Sequence, residues 1–226
     1  MNYMPKYDYG IAFIVEGSTE KVFYSEYVQY CCRSYSLEIE RVEDGDGINY
    51  VITRPDKSSV LVKLYSVNAI TQMTNSATWF MRACFRRHSS TKWTVFLCYD
   101  TDEYNSSITK FHEGDWLELR EEISSGASGI VDLAAEADIE DVMLCDLQGV
   151  LEFLHLDPST PMPSGGKGKS KMKKLYKSAS RRRPYHEGDR ALPLIQSLDM
   201  EHIERSAPIP LASVKDAILG SERGRM

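Results

Sequence analysis

The chain has 226 residues, 42% of them hydrophobic and 27% charged, with a net charge of −6, the proportions of a globular protein that buries a core. The five cysteines (31, 32, 84, 98 and 145) are odd in number and lack CxxC spacing, which argues against a disulfide framework and against structural zinc. No apolar run approaches the roughly 20 residues that cross a bilayer, and the opening residues 1–6 have no apolar signal-peptide core. The expectation is therefore a cytoplasmic protein without a membrane partner.

Residues 10–15, Gly-Ile-Ala-Phe-Ile-Val, are apolar throughout and predict a strand buried on both faces. Glu16-Gly-Ser-Thr-Glu20 follows. Gly17 and Ser18 make the turn, and 19–34 reads as a helix with Val22, Phe23, Tyr27, Tyr30 and Cys31 along one face. Glu20 falls in its first turn, where a carboxylate also suits the helix dipole. Glu16 ends a continuously apolar strand, so its charge calls for a partner.

Residues 36–43 alternate as a strand does. Asp44-Gly-Asp-Gly47 resembles the start of a calcium loop, but the later positions hold Asn49 for glycine and Pro55 for glutamate, so a turn is expected. A strand over 59–67 and a helix over 69–88 follow, the helix turning Ile70, Met73, Ala77, Phe80, Met81 and Cys84 inward. The stretch 93–102, Trp-Thr-Val-Phe-Leu-Cys-Tyr-Asp-Thr-Asp, is a second buried strand that ends in acid. Asp100 and Asp102 are two residues apart, so in extended backbone both carboxylates project to one side, close enough to hold a hard cation. Beyond it, a helix is expected over 115–123 and a strand over 130–135. The acid-rich segment 138–146 then leads into a helix reaching about 155, with Glu140 and Asp141 beside its apolar run.

From 158 to 169 the composition shifts to Pro, Ser, Gly and Lys, marking a connection between a core at 1–157 and a basic linker and helical extension at 158–226, expected to pack on that core. Gly168-Lys169-Ser170 lacks the first glycine of a P-loop, because position 163 is proline. Residues 169–180 predict a short basic helix closed by Arg181, Arg182 and Arg183. The charge is uneven: 165–190 carries ten Lys and Arg against two acids, leaving 17 basic and 31 acidic residues elsewhere. Such a strip on an acidic body points to a localised polyanion contact through Lys169, Lys171, Lys173, Lys174, Lys177 and Arg181–Arg183. Short helices around 192–198 and 211–219 complete the extension.

Strands alternating with helices imply an α/β fold, a mostly parallel Rossmann-like sheet flanked by helices, with acids gathered at the carboxyl ends of strands. An all-carboxylate site favours Mg2+ or Mn2+ over zinc and leaves coordination positions for phosphate oxygens. EGxxE after one strand and DxD after a later one resembles the TOPRIM domain of topoisomerases, primases and related nucleases. With Glu140, Asp141 and the late lysine-rich segment, the pattern is most similar to the stand-alone and OLD-type TOPRIM nucleases, over roughly residues 8–180. That resemblance implies a metal-dependent endonuclease cutting DNA or RNA, a toxic effector in bacterial anti-phage defence. It makes Glu16 a metal ligand or general acid/base and Asp100 and Asp102 metal ligands, with Glu20 and Glu140 joining the metal set. OLD-type enzymes also have a lysine near the scissile phosphate, a role assigned to Lys173 among the lysines at 167–177. The ATPase domain of OLD proteins is absent from the sequence. A non-catalytic subunit that binds nucleic acid or an ATPase partner, in a homo-oligomer or a defence complex, is the alternative. A phosphohydrolase or receiver-like domain acting on a small substrate would use the same acidic edge but has no need of the basic strip.

Overall fold

A computed structural model of the chain describes residues 6–43, 47–68, 72–101, 113–179 and 184–220. Asp102, Arg181, Arg182 and Arg183 lie outside the described residues, as do Ile70 and the Asp44–Asp46 part of the calcium-like turn.

Six strands form one sheet in the order β2-β3-β4-β1-β5-β6. They are β1 (Tyr9–Val15), β2 (Glu38–Arg41), β3 (Ile48–Thr53), β4 (Ser59–Ser66), β5 (Lys92–Asp100) and β6 (Gly129–Ala135). β4, β1, β5 and β6 run parallel, while β2 and β3 join antiparallel at the β4 edge. The buried runs of β1 and β5 are adjacent central strands, in register from Tyr9 opposite Lys92 to Val15 opposite Cys98. Their continuous apolarity follows from helices covering both faces.

The period of two along the strands sorts their side chains between the two layers. Ile11, Phe13 and Val15 of β1 and Phe96 and Cys98 of β5 face one layer, where Phe13 stacks on Phe96 (ring centroids 5.2 Å apart) and on Tyr24 (5.5 Å). This layer contains α1 (Ser18–Ser34), α4 (Ile139–Met143), α5 (Leu147–Phe153), α6 (Gly168–Ser178), α7 (Leu192–Ser197), α8 (Met200–Ser206) and α9 (Leu211–Leu219). Ala12, Ile14, Trp93, Val95 and Leu97 face the other, packing with α2 (Asn75–Phe80) and α3 (Glu113–Ser124). The stretch after residue 157 is thus part of the first layer: Met172, Leu175, Ile195, Val214 and Ile218 belong to the same apolar cluster as Phe13.

Three differences from the sequence reading have local causes. Residues 48–53 form a strand, because Tyr50 and Ile52 find cover under α1 although the segment follows a turn signal. The helix expected over 69–88 is α-helical only from Asn75 to Phe80 and widens to a π-helical turn at Met81–Phe85. The helix expected to run to about 155 is broken at Leu144–Asp146, where Asp146 caps α5 by accepting from Gly149 N at 3.0 Å.

β1 leads by way of α1 and the β2–β3 hairpin to β4 on one side, whereas β5 leads through α3 to β6 on the other. The carboxyl ends of β1 and β5 therefore flank a topological switch point, the place where open α/β sheets form their crevice.

Candidate active site

All four parallel strands send a polar residue into a cavity of about 320 Å3 at this edge: Glu16 after β1, Asn68 after β4, Asp100 at the end of β5 and Asp138 after β6. Glu20 joins from the first turn of α1, Glu140 from α4, Lys169 from α6 and Glu187 from the segment beyond it. The period of two that buries Phe96 and Cys98 carries Asp100 to the α1 side, where Glu20 waits.

Gly17 has a spatial reason in this arrangement. A Cβ there would come within 2.7 Å of the Glu20 carboxylate, so any side chain would push that group off the cavity wall. Glu16 is anchored by its backbone, its N–H donating to Cys98 O at 3.1 Å, and its Oε2 accepts from the Asp100 N–H at 3.4 Å. The ends of β1 and β5 are thereby tied across the switch point.

Burial and crowding set the electrostatics. Burial raises the Asp100 carboxyl to about 9, and Glu20, Glu16, Asp138 and Glu140 push it in the same direction. Glu20 is pushed up to about 7 by burial, with Glu16 and Glu140 adding to it. Glu140, only 3% exposed, also rises to about 7 through burial, although a hydrogen bond from Tyr185 OH at 2.8 Å opposes the shift. Burial raises Asp138 too. The Asp100 Oδ1 atom is buried without a hydrogen-bond partner. A buried carboxylate oxygen left unpaired among other acids is a costly arrangement, and it is what a cation would relieve.

The donors at hand are carboxylate oxygens with no imidazole or thiol among them, the set that hard cations take. Asp100, Glu16, Glu20 and Glu140 thus fit Mg2+ or Mn2+. Among the described residues, no group of three or more such side chains is already drawn together as a cage; the acids share the cavity but not a common point.

Asp138 and Asp141 build the frame. Asp138 caps α4, its Oδ1 accepting from Asp141 N at 3.1 Å, while its Oδ2 accepts from Lys169 N at 3.0 Å. Asp141 Oδ2 accepts from Gly168 N at 2.8 Å, and its Oδ1 pairs with Lys171 Nζ at 2.7 Å. Two helix N-termini are therefore held nose to nose by two carboxylates, which satisfy their free N–H groups and their dipoles. A Cβ at position 168 would collide with the Asp141 backbone and the Asp138 carboxylate, so only glycine allows the approach.

The basic strip divides in two. Lys169 lines the cavity and its Nζ pairs with Glu187 Oε2 at 2.6 Å, a hydrogen bond that raises its pKa. Lys171 is held by Asp141, and Lys174 Nζ donates to Ser164 O at 2.8 Å. Lys173 and Lys177 are exposed. The structure thus places Lys169 in the acidic cavity, whereas Lys173, expected beside the scissile phosphate, stands on the outer surface of α6. Asp138, Tyr185 and Glu187 were absent from the sequence-level site. Asp138 carried a signal, lying two residues before Glu140 at a helix start; Tyr185 and Glu187 carried none, being far along the chain in an irregular segment. No known family's sequence profile matches this chain, and no curated protein matches it.

Proposed function

We infer that the cavity is the active site of a metal-dependent nuclease of TOPRIM type, hydrolysing phosphodiester bonds of DNA or RNA as an effector of anti-phage defence. The observation that carries this reading is Asp100: a buried carboxyl with an unpaired oxygen, in a cavity with five other acids, at the switch point of a parallel sheet. Asp100, Glu16, Glu20 and Glu140 would hold Mg2+ or Mn2+, and Asp102 follows Asp100 by two residues. The bound cation would supply Lewis acidity toward phosphate oxygens and water.

The chain's own groups divide the remaining work. Glu16, half-buried at the end of β1, takes the proton of the attacking water. Tyr185 fixes the Glu140 carboxyl, and Asp138 fixes the helix that carries it. Lys169 puts a positive charge on the wall shared with Glu187. Lys173 and Lys177, exposed on α6, track the backbone of a bound strand.

The test is single-turnover cleavage of plasmid, single strands and transfer RNA with Mn2+, using wild type and Asp100→Asn. Cleavage by wild type that the substitution abolishes supports the reading. Absence of wild-type cleavage on every substrate would turn the assignment toward a subunit that binds without cutting.

A further inference from the structure

A second and larger recess, about 850 Å3, lies between α1 and the β2–β3 hairpin and borders the acid cavity. Glu20 lines the cavity and Lys21 the recess; Glu187 lines the cavity and Asp189 the recess. Its volume is that of a site for a small organic molecule. In its wall sits Glu26, only 7% exposed, whose Oε1 accepts from Gln29 Nε2 at 3.0 Å. Beside it the Tyr50 and Ser25 hydroxyls share a buried hydrogen bond of 2.8 Å, which fixes the tyrosine against the helix. Lys21 and Arg41 bring positive charge to the same recess, Arg41 from its exposed rim. Val22, Ile39 and Ile48 give it apolar surface.

These groups ask for a ligand of mixed character. A buried carboxylate wants N–H donors, the cations want an anion, and the aliphatic surface wants a flat apolar ring. A polyanion alone would be repelled by Glu26 and Asp189, and a lipid tail would offer nothing to the carboxylate or to the cations. A nucleotide meets all three demands. Among the bases, guanine presents N1–H and N2–H2 side by side, the pair that one carboxylate accepts in bidentate fashion, whereas adenine and cytosine offer a single amino group.

We propose that the recess between α1 and the β2–β3 hairpin is a nucleobase pocket that selects guanine through Glu26 and holds its phosphate with Lys21 and Arg41. Resting on the nuclease reading, it serves as the specificity pocket for a nucleotide next to the bond cut in the acid cavity. Glu26 lies six residues beyond Glu20 on α1, or about 9 Å at 1.5 Å per residue.

The test separates the pocket from the chemistry. Calorimetric titration of the full chain with 5′-GMP, AMP, CMP and UMP in EDTA probes the recess without divalent cations. GMP should bind tighter than the other three, and Glu26→Gln should erase that preference, about 5- to 150-fold for one bidentate pair. Arg41→Ala, on the exposed rim, should weaken all four nucleotides alike. Equal binding of the four, no binding, or an unchanged preference in Glu26→Gln overturns the pocket. If Glu26→Gln does not fold, wild-type ranking with Arg41→Ala decides: equal ranking, or no effect of Arg41→Ala, overturns it. Sequencing the ends of a cleaved randomised strand separates the two readings. GMP selection without any cleavage supports the pocket and removes the nuclease; cleavage without guanine at a fixed offset does the reverse.

Discussion

At neutral pH the Asp100 carboxyl, raised to about 9, keeps its proton when no cation is near. The unfolded chain releases that proton around pH 4. Between the two values the folded state binds more protons than the unfolded one, so stability falls as pH rises from about 4 to about 9. Glu20 and Glu140, both raised to about 7, steepen the lower part of that fall. Cation-free thermal melts should therefore show Tm declining over this window, and Asp100→Asn should level the portion above pH 7. Mn2+ at pH 8 should raise Tm in wild type and much less in Asp100→Asn, since binding to the native state alone stabilises it; an equal rise in both would place the metal elsewhere. Glu16 should act on rate. Glu16→Gln should lower single-turnover cleavage by about 10²- to 10⁴-fold while anisotropy shows affinity for the strand unchanged. Retained cleavage within a few-fold of wild type would remove Glu16 from the mechanism.

Between elements, the α4–α6 junction and the segment after α6 decide whether the acids keep their places. Tyr185→Phe removes the hydroxyl that Glu140 Oε1 accepts and leaves a buried acceptor unpaired, a cost of about 1–3 kcal/mol. Supporting partners of this kind are typically worth about 10- to 100-fold in metal affinity, so Mn2+ binding by calorimetry should weaken by that factor. The basic helix α6 yields a sharper contrast. Lys173→Glu and Lys177→Glu, at exposed positions, should each lower the salt slope of strand binding by roughly 0.7 to 0.9 with Tm unchanged. Lys171→Glu should instead lower Tm, because it places a carboxylate beside Asp141. This division was illegible in the sequence, where six lysines in eleven residues look alike; it depends on which of them face α4 across the Gly168 contact. The strands β1 and β5 and the helix α1 were legible because unbroken apolar runs and a 3.6-residue stripe survive any tertiary context. β3 was not, since its cover comes from α1 and no alternation announces it. Glu16 and Asp100 could be read because acids seldom end apolar strands, and Glu20 through its place in the EGxxE pattern, while Glu187 reaches the cavity and Tyr185 reaches Glu140 only through the path of a loop.

Across the whole molecule, the acid edge is a property of strand order. The carboxyl ends of four parallel strands meet there because β1 and β5 lie side by side while their connections diverge. The sequence predicted the alternation of strands and helices and an extension packed on the core, but not that this extension would return to cover α1 from about residue 188 onward. Arg54 makes this return visible. It sits just after β3, donates from Nε to Ile218 O at 2.7 Å and from Nη2 to Ala217 O at 2.6 Å, and so closes the carboxyl end of α9. Arg54→Ala should lower stability by about 1.5–3 kcal/mol for bonds from a charged donor, read as a shift in the urea midpoint with an unchanged slope; no shift would mean that α9 is held by its apolar face alone. The Tyr27 hydroxyl on α1 likewise donates to Glu204 Oε2 at 2.7 Å and lies 3.1 Å from Leu211 O, and Lys215 pairs with Glu204. These ties have a consequence in time. A ribosome adds about 5–20 residues each second, and the layer over α1 stays open until residues near 218 emerge. Glu16, Glu20 and Asp100 are made long before Tyr185 and Glu187, so the growing chain carries its acids with neither the frame that fixes them nor the cover over its core. Until α9 has been made, the chain lacks the Arg54 and Tyr27 contacts that hold the layer over α1.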